Sequence, residues 1–217
     1  MLLPLALLAL AYLVGSIPFS FLIARAFSGK DVRQEGSGNV GATNVARTAG
    51  RGAGGLALLL DLVKGYAVVV LARWVVAQPG WPFRPGVQAW ESREMWIALA
   101  GLVAVLAHMF PVWLRFHGGK GVATAAGVIL ALDPRVFAAS VLVFAIVVLL
   151  SRMVSLGSIV TAATIPLLFR FIGQATPFWR TVVSIGIALA VILKHHSNIA
   201  RLAGGTERKL GRKKEDE

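Results

Sequence analysis

The sequence predicts an all-α, polytopic integral membrane protein with seven transmembrane helices. Of its 217 residues, 57% are hydrophobic, and the mean hydropathy is +0.74, which is far more apolar than an ordinary soluble domain. Several apolar runs approach or exceed the roughly 20 residues that a helix needs to cross a bilayer. Because the runs are apolar on all faces, they favour helices over the strands of a membrane barrel, which alternate in polarity over about 10 residues.

Seven apolar runs follow one another along the chain, and the fourth of them is short. They span residues 2–24, 55–77, 95–114, 121–132, 135–150, 154–173 and 179–193. We expect residues 1–217 to form a single membrane-embedded catalytic domain, with a flexible basic tail at 203–217.

Lysine and arginine residues concentrate in alternate connecting segments. Fifteen of the 22 lie in the segments that follow the first, third, fifth and seventh runs. Cytoplasmic loops carry such an excess, so we predict an external N-terminus and a cytoplasmic C-terminus. The net charge of +12 would suggest nucleic acid in a soluble protein. Beside membrane spans it suits anionic lipid head groups or an anionic substrate instead, and no nucleic-acid partner is predicted.

Three polar, glycine-containing clusters follow the first, third and seventh runs. They are Gly36–Arg47, Phe116–Thr124 and His195–Glu207. Since all three follow odd-numbered runs, they are predicted to open on one face of the membrane, the cytoplasmic face.

The first cluster reads GSGNVGATNVAR. Glycines allow successive backbone N–H groups to point at one anion. Asn44 and Arg47, three residues apart, lie on one face if a helix begins near Gly41, where both can reach a phosphate. The spacing resembles a nucleotide P-loop, but Ala42 stands in place of the lysine, so nucleotide hydrolysis is not predicted. The alternative is a flexible connector at the membrane edge.

The second cluster places Lys120 between glycines at the start of the fourth run. A positive charge at a helix start is unfavourable with the helix dipole, which suggests that Lys120 binds an anion. The alternative is an interfacial lysine that extends toward water. His108, upstream of this cluster, has either a functional or a packing role.

In the third cluster, His195 and Asn198 are three residues apart and can face one ligand. Histidine is the side chain that titrates near neutral pH. Asp61 and Lys64 form either a structural ion pair or part of the site, since isolated charges inside a span are costly. Ser158 belongs to a serine-rich inner loop that offers hydroxyl donors or a helix cap.

The sequence lacks the residues that several kinds of chemistry require. The chain has no cysteine, and its histidines and carboxylates do not show the spacing of zinc or magnesium sites. No histidine is followed by an aspartate five positions later, so the His-Asp dyad of common glycerolipid acyltransferases is missing. The sequence therefore predicts neither a metal nor a cofactor.

Together the three clusters resemble the bacterial acyl-phosphate:glycerol-3-phosphate acyltransferases, the PlsY family. The family motif G-S-G-N-x-G-A-T-N-x-x-R corresponds to Gly36–Arg47, and G-G-K-G-V-A-T corresponds to Gly118–Thr124. The third motif, H-x-x-N-x-x-R-x-x-x-G-x-E, begins at His195 and ends at Glu207. The resemblance covers nearly the whole chain.

The resemblance implies a multi-pass protein of the bacterial inner membrane with a cytosol-facing site. It implies transfer of a fatty acyl group from acyl phosphate to the 1-hydroxyl of glycerol 3-phosphate, which gives lysophosphatidate and inorganic phosphate. The partners would be these two substrates, membrane lipid and the soluble enzyme that makes acyl phosphate.

On this basis we assign each cluster a role. We expect acyl phosphate to contact Ser37, Gly38, Asn39, Gly118, Gly119 and Lys120. We expect glycerol 3-phosphate to contact Thr43, Asn44, Arg47, Ser158, His195 and Asn198. The predicted catalytic residues are Arg47, Lys120, His195 and Asn198.

Two questions stay open at this point. The base that accepts the hydroxyl proton is either His195 or the departing phosphate, whose second pKa is about 6. A transporter for phosphorylated molecules is the rival class, but it would place its site near the bilayer midplane and show internal repeats.

Overall fold

The structure is a computed structural model that describes residues 2–83, 92–173 and 178–211. These residues form ten α-helices and one short 3-10 helix at Val112–Leu114. The helices are α1 Leu2–Gly15, α2 Phe19–Ser28, α3 Ala42–Thr48, α4 Arg51–Ala77, α5 Arg93–Met109, α6 Val122–Leu132, α7 Pro134–Ser151, α8 Val154–Phe171, α9 Phe178–Lys194 and α10 His196–Ala203. The predicted all-α class agrees with this architecture.

Within these described ranges, five helical segments are long and apolar enough to cross a membrane. They are Leu2–Ser28, which joins α1 to α2, Arg51–Ala77, Arg93–Leu114, Pro134–Ser151 and Val154–Phe171. A sixth appears if α9 and α10, bent by 61° at His195, count as one span. Helix α6 has only 11 residues, well short of the roughly 20 needed. The predicted number of seven is therefore not confirmed, and the predicted orientation stays a prediction.

The chain divides into two compact units, Met1–Leu132 and Asp133–Glu217, where a single domain was predicted. The first unit contains α1 to α6 and the first two polar clusters. The second contains α7 to α10 and the third cluster. The second unit begins with a helix cap, because the Asp133 side chain accepts the N–H of Arg135 at 2.9 Å and Pro134 occupies the first helical turn.

The first apolar run was predicted as one helix over 2–24, but it breaks between Gly15 and Phe19. Pro18 explains the break, since proline has no N–H to donate and pushes the residue before it out of helical geometry. The break leaves the Ile17 carbonyl outside a helical ladder, where it accepts a hydrogen bond from Lys64 Nζ at 2.8 Å.

Helices α4 and α6 cross in the first unit through glycines. A Cβ atom on Gly127 would overlap the Leu62 carbonyl, and one on Gly65 would overlap the Thr124 carbonyl. Such close backbone contact is how helices pack within a bilayer, because lipid supplies no hydrophobic force between them. The crossing fixes α6, and with it the loop that precedes α6, on α4.

In the second unit, α8 packs against both α7 and α9. The segment after α10 folds back, and the Leu210 N–H donates to the Arg152 carbonyl at 2.7 Å. Hydrogen bonds also involve Gly204, Gly205, Thr206 and Glu207, and the flexible tail predicted for 203–217 stays a prediction. Residues 212–217 of that tail lie outside the described residues.

Candidate active site

Asn44 organises the first polar loop. Its side-chain carbonyl accepts the Ser37 N–H at 2.9 Å, and its amide donates to the carbonyls of Val32 at 3.0 Å and Glu35 at 2.9 Å. The side chain is buried, and both of its N–H donors are used. Asn44 therefore closes the loop from within, which differs from the substrate contact predicted for it.

The same loop rests on a small apolar core. Val32, Val40 and Val45 are buried together with residues of α2, α4 and the 3-10 helix. Gly36 and Gly38 adopt positive φ angles of 61° and 70°, a region that non-glycine residues rarely occupy. Because the valines anchor the loop and the glycines bend it, Ser37, Gly38 and Thr43 are left at the surface.

The second loop is docked on the end of α5. The Gly118 N–H donates to the Met109 carbonyl and the Gly119 N–H to the His108 carbonyl, each at 3.2 Å. Two consecutive non-glycine residues before it, Arg115 and Phe116, have positive φ angles of 51° and 64°. Such conformations cost about 1–3 kcal/mol each and persist only where the surroundings enforce them.

The first two loops meet at Gly119. A Cβ atom there would overlap both the Val40 carbonyl and the Nε2 atom of His108. Only a glycine fits at this position. Because Val40 directly follows Asn39, this contact brings the Ser37–Asn39 segment close to the Lys120 loop within one unit. Lys120 itself is half-buried.

A buried ionic cluster lies next to this junction. Lys64 Nζ is 2.7 Å from Asp61 Oδ1 and 2.9 Å from His108 Nδ1, and Ser20 donates to Asp61 Oδ2 at 2.7 Å. Asp61 and Lys64 are 1% and 3% exposed, so their charges are almost fully removed from water. Lys64 and His108 also line a small pocket, together with Gly118 and Gly119 of the second loop.

In the second unit, Glu207 joins three partners. It accepts hydrogen bonds from Ser155 Oγ, Asn198 Nδ2 and Arg201 Nε, each at 2.8 Å. Burial opposes ionisation of this carboxyl, but the three hydrogen bonds outweigh burial and hold its pKa below the usual range. The charged carboxylate thereby fixes the side chain of Asn198 on α10.

His195 stands at the bend between α9 and α10. Its Nδ1 atom is 2.7 Å from the Val191 carbonyl, and a carbonyl can only accept, so Nδ1 carries a proton. In the neutral ring the lone pair therefore lies on Nε2, the nitrogen that can accept a proton. Ser158, also predicted in the site, is buried and donates to the Val154 carbonyl at 2.9 Å.

The structure thus collects the predicted residues in two groups. Ser37, Gly38, Asn39, Thr43, Arg47, Gly118, Gly119 and Lys120 lie in the first unit, and Ser158, His195 and Asn198 lie in the second. From the sequence, Ser155 was only one of several possible hydroxyl donors in the serine-rich loop. Glu207 was assigned no role, although it is the one carboxylate of the third cluster. In the described part of the chain, no group of three His, Asp or Glu side chains is placed to hold a metal ion.

Comparison with known proteins gives a consistent result. A sequence profile described as glycerol-3-phosphate acyltransferase matches residues 5–205. A protein named glycerol-3-phosphate acyltransferase from Thermosynechococcus vestitus is 45% identical over 208 residues, which cover 95% of each chain. A protein of the same name from Desulforamulus reducens is 42% identical over 204 residues, or 94% of each chain.

Two solved structures are similar over nearly their whole length. One is a crystal structure of PlsY (YgiH), an integral membrane glycerol 3-phosphate acyltransferase, in its glycerol 3-phosphate form; its TM-score is 0.82, with 37% identity over 96% of each chain. The other is the lysophosphatidic acid form, with a TM-score of 0.80 and 36% identity over 96% of this chain and 95% of that one.

Proposed function

The chain belongs to the glycerol-3-phosphate acyltransferase family, as its motifs predicted, and from that membership we propose that it transfers a fatty acyl group from acyl phosphate to the 1-hydroxyl of glycerol 3-phosphate. The products are 1-acylglycerol 3-phosphate and inorganic phosphate. The reaction is the first acylation of phospholipid synthesis.

The observation that carries this proposal is the meeting of two glycine loops at Gly119. A phosphate is bound by convergent N–H groups and cations. The Ser37–Asn39 segment supplies the side-chain donors of Ser37 and Asn39, since the N–H groups of Ser37 and Gly38 are bonded within the loop. The adjoining Gly118–Lys120 segment supplies an ammonium. We assign the phosphate of the acyl donor to these six residues.

The other substrate, glycerol 3-phosphate, has one phosphate and two hydroxyls, so its site needs a cation and hydrogen-bonding side chains. We assign it to Arg47 and Thr43 of α3 and to Ser158, His195 and Asn198. The network around Glu207 supports the role of Asn198, because the bond from Nδ2 to Glu207 sets the direction of the side-chain carbonyl. We no longer assign Asn44 to this substrate, since its two N–H donors are used within the loop.

Acyl phosphate is a mixed anhydride, so its acyl carbon is already activated. The 1-hydroxyl oxygen attacks that carbon, the bond from the acyl carbon to the phosphate oxygen breaks, and phosphate leaves with the electron pair. The chain's contribution is to place the two substrates and to neutralise charge on the phosphate. We assign the proton of the hydroxyl to His195 Nε2, the nitrogen that the Val191 carbonyl leaves without a proton.

The location and partners follow from the same proposal. The protein is a multi-pass membrane protein, and we place its site on the cytoplasmic face of the bacterial inner membrane. The lipid product then remains in the leaflet where it forms, and a soluble enzyme that makes acyl phosphate can deliver the donor from the cytosol.

A donor comparison tests the proposal. Purified protein in detergent receives glycerol 3-phosphate together with palmitoyl phosphate or palmitoyl-CoA, and lysophosphatidate is measured by mass spectrometry. We expect product and stoichiometric phosphate from palmitoyl phosphate, and none from palmitoyl-CoA. Product from palmitoyl-CoA alone would refute the donor assignment. If the protein formed no product in detergent but carried a substrate into vesicles, it would instead be a transporter.

A further inference from the structure

We propose that Lys64 and Asp61 are positioning residues for the Lys120 loop and that they act through His108. They hold the His108 ring in one tautomer against Gly119, the residue next to Lys120. This inference rests on the proposed function, because Lys120 is the residue whose placement it explains. It assigns a role to charges that would otherwise be only a buried ion pair.

Three polar atoms surround the Lys64 ammonium. It donates hydrogen bonds to the Ile17 carbonyl at 2.8 Å and to His108 Nδ1 at 2.9 Å. Asp61 Oδ1, at 2.7 Å, makes an ion-pair contact with it that has no hydrogen-bond geometry. An ammonium that only balanced Asp61 would need no imidazole as its third partner.

The distances also determine which partner His108 Nδ1 uses. The nitrogen lies 2.9 Å from Lys64 Nζ but 3.4 Å from Asp61 Oδ1. Hydrogen bonds from N–H groups to oxygen fall at about 2.7–3.2 Å, so the carboxylate is too far to be the acceptor of an Nδ1 proton. A proton on Nδ1 would also point at an ammonium. His108 Nδ1 is therefore an acceptor, and in the neutral ring the proton is on Nε2.

The opposite side of the same ring faces the glycine loop. His108 Nε2 and the Val40 carbonyl both lie so close to Gly119 that a Cβ atom there would overlap them. The His108 carbonyl accepts the Gly119 N–H at 3.2 Å. One residue thus supports the loop by its backbone and by its ring, and Lys64 fixes the ring.

Besides α5, which carries His108, three parts of the first unit contribute to the cluster. Asp61 and Lys64 are on α4, Ser20 on α2 donates to Asp61 at 2.7 Å, and Ile17 lies in the break between α1 and α2. Charges at this burial are costly unless they are paired and hydrogen-bonded. Ser20, Asp61, Lys64 and His108 are all buried, so we expect them to act on a substrate through the loop.

The test combines spectroscopy and kinetics on the full chain in detergent. With 15N-labelled histidine, the imidazole shifts report each tautomer, and the His108→Gln variant identifies the His108 signals among the four histidines. We expect the wild type to show His108 with its proton on Nε2. Lys64→Met should lose this single tautomer, whereas Lys30→Met, a matched change at an exposed lysine, should keep it.

In the kinetic arm, Lys64→Met should lower kcat/KM for phosphate release by about 100-fold, the typical effect of displacing a reactive group by 1 Å. The same loss should appear in His108→Gln, and the double variant should be no slower than either single variant, because both act through one ring. Lys64→Arg and Asp61→Asn provide further variants if Lys64→Met does not fold, and both are expected to perturb the His108 signals.

Any of three results would overturn the inference. One is a His108 with its proton on Nδ1 in an active wild type. Another is a folded Lys64→Met whose kcat/KM stays within about twofold of that of Lys30→Met. The third is a loss of kcat/KM in Lys64→Met that multiplies with the loss in His108→Gln, as independent sites would give. An inactive wild type that shows the expected tautomer would instead overturn the proposed function alone.

Discussion

The side-chain carbonyl of Asn44 lies 2.9 Å from the N–H of Ser37, seven residues earlier in the chain, and closes the first glycine loop. The amide of the same side chain donates to two backbone carbonyls in that loop. Replacing Asn44 by Asp keeps the size and the acceptor but removes both donors. We expect this variant to lose about 1–3 kcal/mol of stability, because the buried Val32 carbonyl is left without its partner. The Glu35 carbonyl keeps the hydrogen bond from the Gly38 N–H.

Thermal unfolding in detergent and phosphate release measure the two effects of this change. Lys30→Met serves as the control, because Lys30 is exposed and lies outside the residues assigned to the substrates. A stable Asn44→Asp that has lost only affinity for glycerol 3-phosphate would restore the substrate role first predicted for Asn44.

His195→Ala tests the proton acceptor. If Nε2 takes the hydroxyl proton, kcat should fall by about 10²–10⁴-fold, the usual contribution of a general base, with little change in either KM. Steady-state phosphate release and a binding titration with glycerol 3-phosphate separate the two quantities. A small fall in kcat with a raised KM for glycerol 3-phosphate would instead favour the departing phosphate as the base.

Lys120→Arg tests whether a compact ammonium is needed. A guanidinium is planar and wider and presents its donors in a fixed fork, and Lys120 is half-buried in a loop whose glycines leave no spare room. We expect kcat/KM to fall by about 100-fold, as for other small displacements in a site. Lys30→Arg, the same change in an exposed ion pair, should have no effect, and full activity of Lys120→Arg would show that charge alone suffices.

Glu207→Gln tests the network of the third cluster by its dependence on pH. The pKa of Glu207 in the folded chain lies below its usual value of 4.5, so the carboxylate stabilises the fold above that pH. This contribution decreases as the pH falls from about 4.5 toward the lower folded pKa. The wild type should therefore lose stability in acid more steeply than Glu207→Gln, because that variant is already less stable at neutral pH.

Unfolding temperatures between pH 7 and pH 3 provide the measurement. Glu35→Gln is the matched control, because the Glu35 side chain pairs with the exposed Lys30 at the surface. Parallel acid curves for the wild type and Glu207→Gln would contradict the assigned network.

The predicted orientation is open to a labelling experiment, since the chain has no cysteine of its own. Single cysteines at Lys30 and Phe116, both exposed, should react with a membrane-impermeant maleimide only in inverted vesicles. A cysteine at Gly80, between the second and third apolar runs, should react only in right-side-out vesicles. Labelling of Lys30→Cys and Phe116→Cys from opposite sides would refute a single cytoplasmic face for the first two clusters.

The helical membrane class and the family were predictable because each rests on a pattern of local sequence. Hydrophobic runs identify helices, and the three motifs lie at fixed places along the chain. The break at Pro18 was also readable in principle, since proline in an apolar run interrupts the helical hydrogen bonds. The short α6 marks the limit of this method: hydropathy finds the segment but does not determine whether 11 residues span a bilayer.

The internal hydrogen bonds of the site were not predictable in the same way. Asn44 and Asn198 are both asparagines in glycine-containing motifs, and their spacing fits phosphate binding. Only the folded chain reveals that Asn44 bonds to its own loop and that Asn198 bonds to Glu207. Likewise the pair Asp61 and Lys64 is visible in the sequence, but its link to His108, 44 residues after Lys64, depends on how α4 and α5 pack.

The glycine contact between α4 and α6 has a consequence for where rate-altering mutations arise. Gly127 is five residues from Val122, the first residue of α6, or about 8 Å at 1.5 Å per residue. A side chain at Gly127 that tilts α6 by about 10° would move its first turn by about 1 Å, a shift that is enough to slow a reaction about 100-fold. We therefore expect turnover to be sensitive to a single methyl group at the crossing of two apolar helices, away from the polar loops that we assign to the substrates.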